Sequence, residues 1–123
     1  AHFLVLACGA EGDRRMGIPG EELKGVLGAR EFVHWYNGHP DFQYVDSKFD
    51  AQSLKRAVVI GQGNVALDCA RILCKAKLGL LGGTDIAAGA LRALGGAPLA
   101  RATVVGRRGP HQARFTIKEL REL

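Results

Sequence analysis

The chain is poor in the features that would settle its function at a glance. No apolar run approaches the ~20 residues needed to cross a bilayer as a helix. No signal-peptide pattern stands at the start. Cysteine is scarce: Cys8, Cys69 and Cys74 are odd in number and show no C-x-x-C spacing, which argues against a disulfide scaffold and a zinc site. His2, His34 and His39 have no ligand spacing with them. No Ser, Cys or Lys lies in a nucleophile motif. His111 follows Pro110 in a polar turn and reads as a solvated loop residue. These absences leave no catalytic acid, base or nucleophile to name, and no metal. Basic residues are scattered, and no aromatic-plus-basic stripe suited to single-stranded nucleic acid appears.

What is present suits one compact domain. The 123 residues can bury a core, and the 47% hydrophobic and 24% charged contents are ordinary for a folded chain. The net charge of +5 fits an anionic cofactor, an acidic protein partner or a solvated surface, and nucleic acid only on charge alone. The chain opens on "AHFLVLACGA" without an initiator Met and reads as a segment of a longer protein.

Local patterns alternate in type. "FLVLACGA" reads as a buried strand ended by Gly9. "EGDRRMGIPGEELKG" reads as a loop with turns near Pro19-Gly20 and Gly25. "AREFVHWYNG" has Phe32, Val33 and Tyr36 at helical spacing and Asn37-Gly38 to stop it. Trp35 and Tyr36 are assigned to packing. Residues 39 to 55 show no clear period and read as loop. "AVVI" is a second buried strand. "NVALDCARILCKAK" is a helix in which Ala66 and Ala70 let one face approach a sheet, and Cys69 and Cys74 are buried thiols. "TDIAAGALRALGG" is a further helix, capped by Thr84 and ended by Gly95. "ATVV" is a third strand. "FTIKELREL" opens a last helix with Thr116 and Glu119 at capping-box spacing. The order predicts an α/β fold with a Rossmann-like parallel sheet and flanking helices.

The sharpest signal is Gly61-Gln62-Gly63-Asn64-Val65-Ala66, which matches G-x-G-x-x-A between a strand and a helix. Gly61 suits the tight turn out of the strand. Gly63 lets the backbone approach a pyrophosphate, and Ala66 keeps helix and strand close. The helix dipole and the free N–H groups of the first turn favour an anion there. The plain alternative is a strand-to-helix turn that needs glycine for geometry only. After "ATVV" come Gly106-Arg107-Arg108, where an NAD site would place a carboxylate. Two guanidinium groups would bind a 2′-phosphate by charge-assisted bonds, so the chemistry favours NADP(H) over NAD(H). The alternative is a pair of solvated loop charges. Arg107 lies beyond the usual ~20 residues from the glycine turn, and the helix "TDIAAGALRAL" accounts for the excess as an insertion.

"GQGNVALDCARIL", "VVGRRGPHQARFTIKELREL", "IPGEELKGV" and "AREFVHWYNG" together resemble the adrenodoxin reductase family. These are NADPH:ferredoxin reductases, flavoproteins of the glutathione-reductase-like superfamily. The resemblance implies a partial NADP-binding domain of a protein with two dinucleotide-binding domains. Residues 1–16 would end the FAD domain, and 17–123 would open the NADPH domain. It implies a pyrophosphate turn on Gly61, Gln62, Gly63, Asn64 and Val65, a 2′-phosphate clamp on Arg107 and Arg108, and a further NADP contact on Glu119. Many relatives have Thr-Gly where this chain has Cys8-Gly9, which departs from the pattern at a turn near the flavin. The implied cofactors are NADPH and FAD, the latter held largely by parts outside this chain. The implied partner is a [2Fe-2S] ferredoxin or adrenodoxin. Nucleic acid is not expected, and membrane association is peripheral at most. The implied location is mitochondrial, on the matrix side of the inner membrane. The segment alone is expected to be inactive. A non-catalytic NADP-binding module is the alternative.

Overall fold

The computed structural model describes Phe3, residues 12–48 and residues 50–123. The expected strand "FLVLACGA", with Cys8 and Gly9, lies outside the described residues except for Phe3. In the described part, helix α1 spans Ala29–Tyr36 and a short α2 spans Val45–Lys48. Strand β1 (Arg56–Ile60) leads into α3 (Asn64–Lys77), followed by α4 (Ala88–Gly95), β2 (Arg101–Val105) and α5 (Ile117–Arg121). The two strands pair in parallel, with Arg56 opposite Arg101 and Ile60 opposite Val105. Helix α3 lies on both strands, and α1 and α4 pack on α3. This is a partial Rossmann-like α/β unit. No helix among the described residues is long and apolar enough to cross a membrane.

The loop before α1 turns where expected, with Gly20 and Gly25 both at φ +89°. Glu31 accepts a hydrogen bond from the Gly28 N–H at 2.9 Å and holds the entry to α1. Tyr44 O–H and Lys48 Nζ also donate to Glu31, at 2.6 and 3.1 Å. Burial pushes this carboxyl up, but these donors outweigh it and hold it below the usual carboxylate value. Trp35 is 3% exposed. Its indole N–H donates to Asp46 at 2.8 Å, satisfying the one polar group the ring carries.

Apolar side chains from several elements meet between the helices. Phe32 and Trp35 of α1, Val45 of α2, Cys69, Leu73 and Ala76 of α3, and Ala90 and Leu94 of α4 share one core with Leu81 and Leu99. On α3 the small residues behave as expected: Ala66 and Ala70 are buried. Leu67 is buried as well, while Val65 is exposed.

Several expectations are corrected. Residues 39 to 55, read as loop, contain single-turn 3-10 helices at Pro40–Phe42 and Ala51–Ser53 as well as α2. These pieces are shorter than the windows in which a helical period can be recognised. The helix within "TDIAAGALRALGG" starts at Ala88, not near Thr84. Thr84 Oγ1 instead donates to the Leu81 carbonyl at 2.8 Å, closing a turn rather than capping a helix. Cys69 is buried, but Cys74 is exposed. Neither strand is fully buried: the half-buried Ala57, Val59, Ala102 and Val104 alternate with exposed neighbours. Helix α3 covers one face, and Val58 and Ile60 on the other are 65% and 58% exposed.

Candidate functional site

The turn after β1 is built as its glycines require. Gly61 has φ +146°, a backbone region L side chains rarely adopt. A Cβ there would also touch Ala66 Cβ at 3.4 Å, where helix meets strand end. The Gly61 N–H donates to the Val105 carbonyl at 2.8 Å, so the turn is tied to the end of β2. Gly63 is the residue before α3, and a Cβ on it would meet nothing within 4 Å. Its glycine is therefore not demanded by neighbouring protein atoms, which leaves its open side available to a ligand. No side chain caps α3 at this end. The Ala66 N–H donates to the Gly63 carbonyl at 3.1 Å, while the N–H groups of Asn64 and Val65 and the positive dipole end face the open side of the turn, where they suit an anion.

Arg107 and Arg108 follow β2 after Gly106 and are exposed. Because Ile60 is in register with Val105, the arginines leave the sheet beside the glycine turn. The long insertion between turn and arginines is absorbed by α4 and its loops, which add to the helical core. Both features therefore lie at the carboxyl ends of the parallel strands, where ligands of open α/β sheets bind. Gly106 adds a detail that the sequence pattern did not single out. The space its Cβ would need is taken by the Gln62 side chain, so the strand after the glycine turn packs through the missing side chain.

The segment after the arginines folds back over the same turn. The Arg114 N–H donates to the Gln62 carbonyl at 2.9 Å, and Gly63 and Arg114 form an isolated parallel bridge. The Thr116 N–H donates to Asn64 Oδ1 at 3.0 Å. This replaces the expected capping box, since the Thr116 side chain makes no cap hydrogen bond to α5. Glu119, freed of that local role, stands in the first turn of α5. Its Oε2 is shielded from solvent and has no hydrogen-bond partner among the described residues. A shielded carboxylate oxygen without a donor is costly, and a ligand hydroxyl or amine would relieve it.

The geometry thus brings Gly61 to Val65 and Arg107-Arg108 to one end of the sheet, with Glu119 on the helix tied to that turn. Two cavities lie elsewhere: one of about 250 Å³ between α1, α3 and residues 80–86, another of about 620 Å³ beside Lys24, Lys48 and Arg56. Among the described residues, no group of three His, Cys, Asp or Glu side chains is placed to hold a metal ion. Cys69 faces the core, where burial first and nearby Asp68 second push its thiol up to about 11. It is not an activated nucleophile.

No protein-family model matches the chain. Among individual proteins the likeness is extensive. The chain is 54% identical over 122 residues to the NADPH:adrenodoxin oxidoreductase, mitochondrial, of Arabidopsis thaliana, covering 99% of this chain and 25% of that protein. The mouse protein of the same name is 51% identical over the same share of this chain and 24% of its own. A solved structure of Mycobacterium tuberculosis FprA in complex with NADPH superimposes with a TM-score of 0.85 at 52% identity, over 94% of this chain and 25% of that one. The chain therefore spans about a quarter of the length of the relatives it matches, and it is homologous to that one segment of NADPH:adrenodoxin and NADPH-ferredoxin reductases.

Proposed function

We propose that this chain is the NADPH-binding part of an oxidoreductase that passes electrons from NADPH through FAD to a [2Fe-2S] ferredoxin or adrenodoxin. The observation that carries the reading is the meeting of an uncapped glycine turn and an arginine pair at the carboxyl ends of β1 and β2. The names of the relatives point the same way, and the structural relative was solved with NADPH. In this reading residues 17–123 open the NADPH domain, and residues 1–16 end an FAD domain. A mitochondrial location fits the relatives named mitochondrial, and within it the reading places the protein on the matrix side of the inner membrane.

The residues fit the cofactor. The backbone of Gly61, Gln62, Gly63, Asn64 and Val65 would hold the pyrophosphate, with the α3 dipole favouring its charge. Arg107 and Arg108 would clamp the 2′-phosphate, and Glu119 would accept from a donor on the nucleotide. When bound, NADPH supplies the hydride and FAD the ring that takes it up. The part played by these residues is binding and orientation, and none of them moves a proton.

The test is cofactor preference in the protein at its natural length, read as reduction of the flavin by NADPH and by NADH. Neutralising Arg107 and Arg108 together should lower the NADPH preference by roughly 10²-fold, given the strength of hydrogen bonds to charged groups. A preference that survives the double change rules out the 2′-phosphate clamp.

A further inference from the structure

Helix α5 has no buried residue, so apolar packing against the described residues does not hold it. It is held to α3 by polar ties at both ends. At its start, Thr116 N–H donates to Asn64 Oδ1 at 3.0 Å. At its end, Glu122 pairs with the Arg71 guanidinium. From residue 64 to 71 a helix rises about 10 Å, and the span from 116 to 122 covers about 9 Å. The ties match in spacing, so α5 runs alongside α3 in the same direction. Glu119 is midway between them. Arg71 is half-buried, and Asp68 Oδ1, one turn earlier on α3, approaches its second nitrogen at 2.5 Å. Asp68 orients the guanidinium toward α5 and limits its freedom.

We infer that Arg71 is a positioning residue for NADP(H): through Glu122 it closes a two-point clamp that holds Glu119 beside the glycine turn. This rests on the cofactor reading above. No local pattern points to it, because Arg71 and Glu122 are 51 residues apart and each alone looks like a surface charge.

The test is a double-mutant cycle in the protein at its natural length, with NADP⁺ affinity measured by titration. Arg71→Ala and Glu122→Gln should each weaken NADP⁺ about three-fold, the size expected for a partly exposed ion pair. Arg71→Lys should retain most of the affinity. In a Glu119→Gln background, neither Arg71→Ala nor Glu122→Gln should cost anything further. An Arg71→Ala effect of equal size in both backgrounds overturns the inference, since Arg71 would not then act through Glu119. So does a loss with Arg71→Ala that Glu122→Gln does not reproduce. Should the Arg107/Arg108 change weaken NADP⁺ while the Arg71 and Glu122 changes do not, the clamp fails and the cofactor reading stands. Should none of them matter, both fall.

Discussion

The helical layer and the segment after β2 are held by different forces. Between α1, α3 and α4 the core is apolar, with Val45 at 0% and Leu94 at 2% exposure. From Gly106 to Leu123 no described side chain is buried. That segment is fixed by the Arg114 and Thr116 N–H bonds and by the Arg71–Glu122 pair. Apolar burial is non-directional and tolerant of small shifts. Hydrogen bonds and ion pairs are directional and individually weak. The first region therefore supplies stability and the second supplies placement. The residues assigned to the 2′-phosphate and to the nucleotide, Arg107, Arg108 and Glu119, all lie in the second, while the glycine turn joins the two.

The comparison can be broken most severely in the core. Leu94→Ala should lower unfolding free energy by about 3 kcal/mol in denaturant titration, from lost burial and the cavity left behind. Such a loss is a global effect with no selectivity between nucleotides. Next in size is Gly61→Ala, at the joint. Its φ of +146° should make the change cost about 1–3 kcal/mol of stability. Nucleotide affinity, measured by titration, should fall along with it because the turn must shift.

A third test concerns the core thiol. The Cys69 value lies above its ordinary 9.0, near 11, so the unfolded chain releases this proton first as pH rises. Its contribution to stability is complete below about pH 9 and lost progressively on the way to about 11. Thermal midpoints across that range should fall, and Cys69→Ala should flatten the fall. In the same protein a thiol reagent should modify exposed Cys74 well before Cys69. The smallest effect belongs to the polar segment. Thr116→Ala should change stability by less than about 0.5 kcal/mol, because the hydroxyl makes no cap bond. A working N-cap would cost about 1 kcal/mol, so chemical denaturation separates the two cases.

The legible parts of the fold were those written in neighbouring residues. Helix α3 showed itself by its three-and-four spacing, β1 and β2 by short apolar runs, and α1 by its period and the Asn37-Gly38 stop. Thr84 and Thr116 misled for a shared reason. Each has cap chemistry, but Thr84 was taken up by the Leu81 carbonyl, and the backbone of Thr116 was claimed by Asn64. Cys74 misled because periodicity shows that a face exists, not how wide a strip of it the neighbouring elements cover.

By itself the sequence determined the chemistry on offer: a strand, a turn with Gly61 and Gly63 in it, a helix start, and two guanidinium groups after a later strand. Those are local properties, set by backbone sterics and side-chain type. Only the tertiary structure decided that they lie at one end of the sheet. The parallel register sets Val105 beside Ile60 and Gly61, and this carries Arg107 and Arg108 to the turn despite the intervening helix. It also decided that α5 lies along α3, through contacts 51 and 52 residues apart. Contacts at that separation arise from strand pairing and helix packing, which no local period encodes.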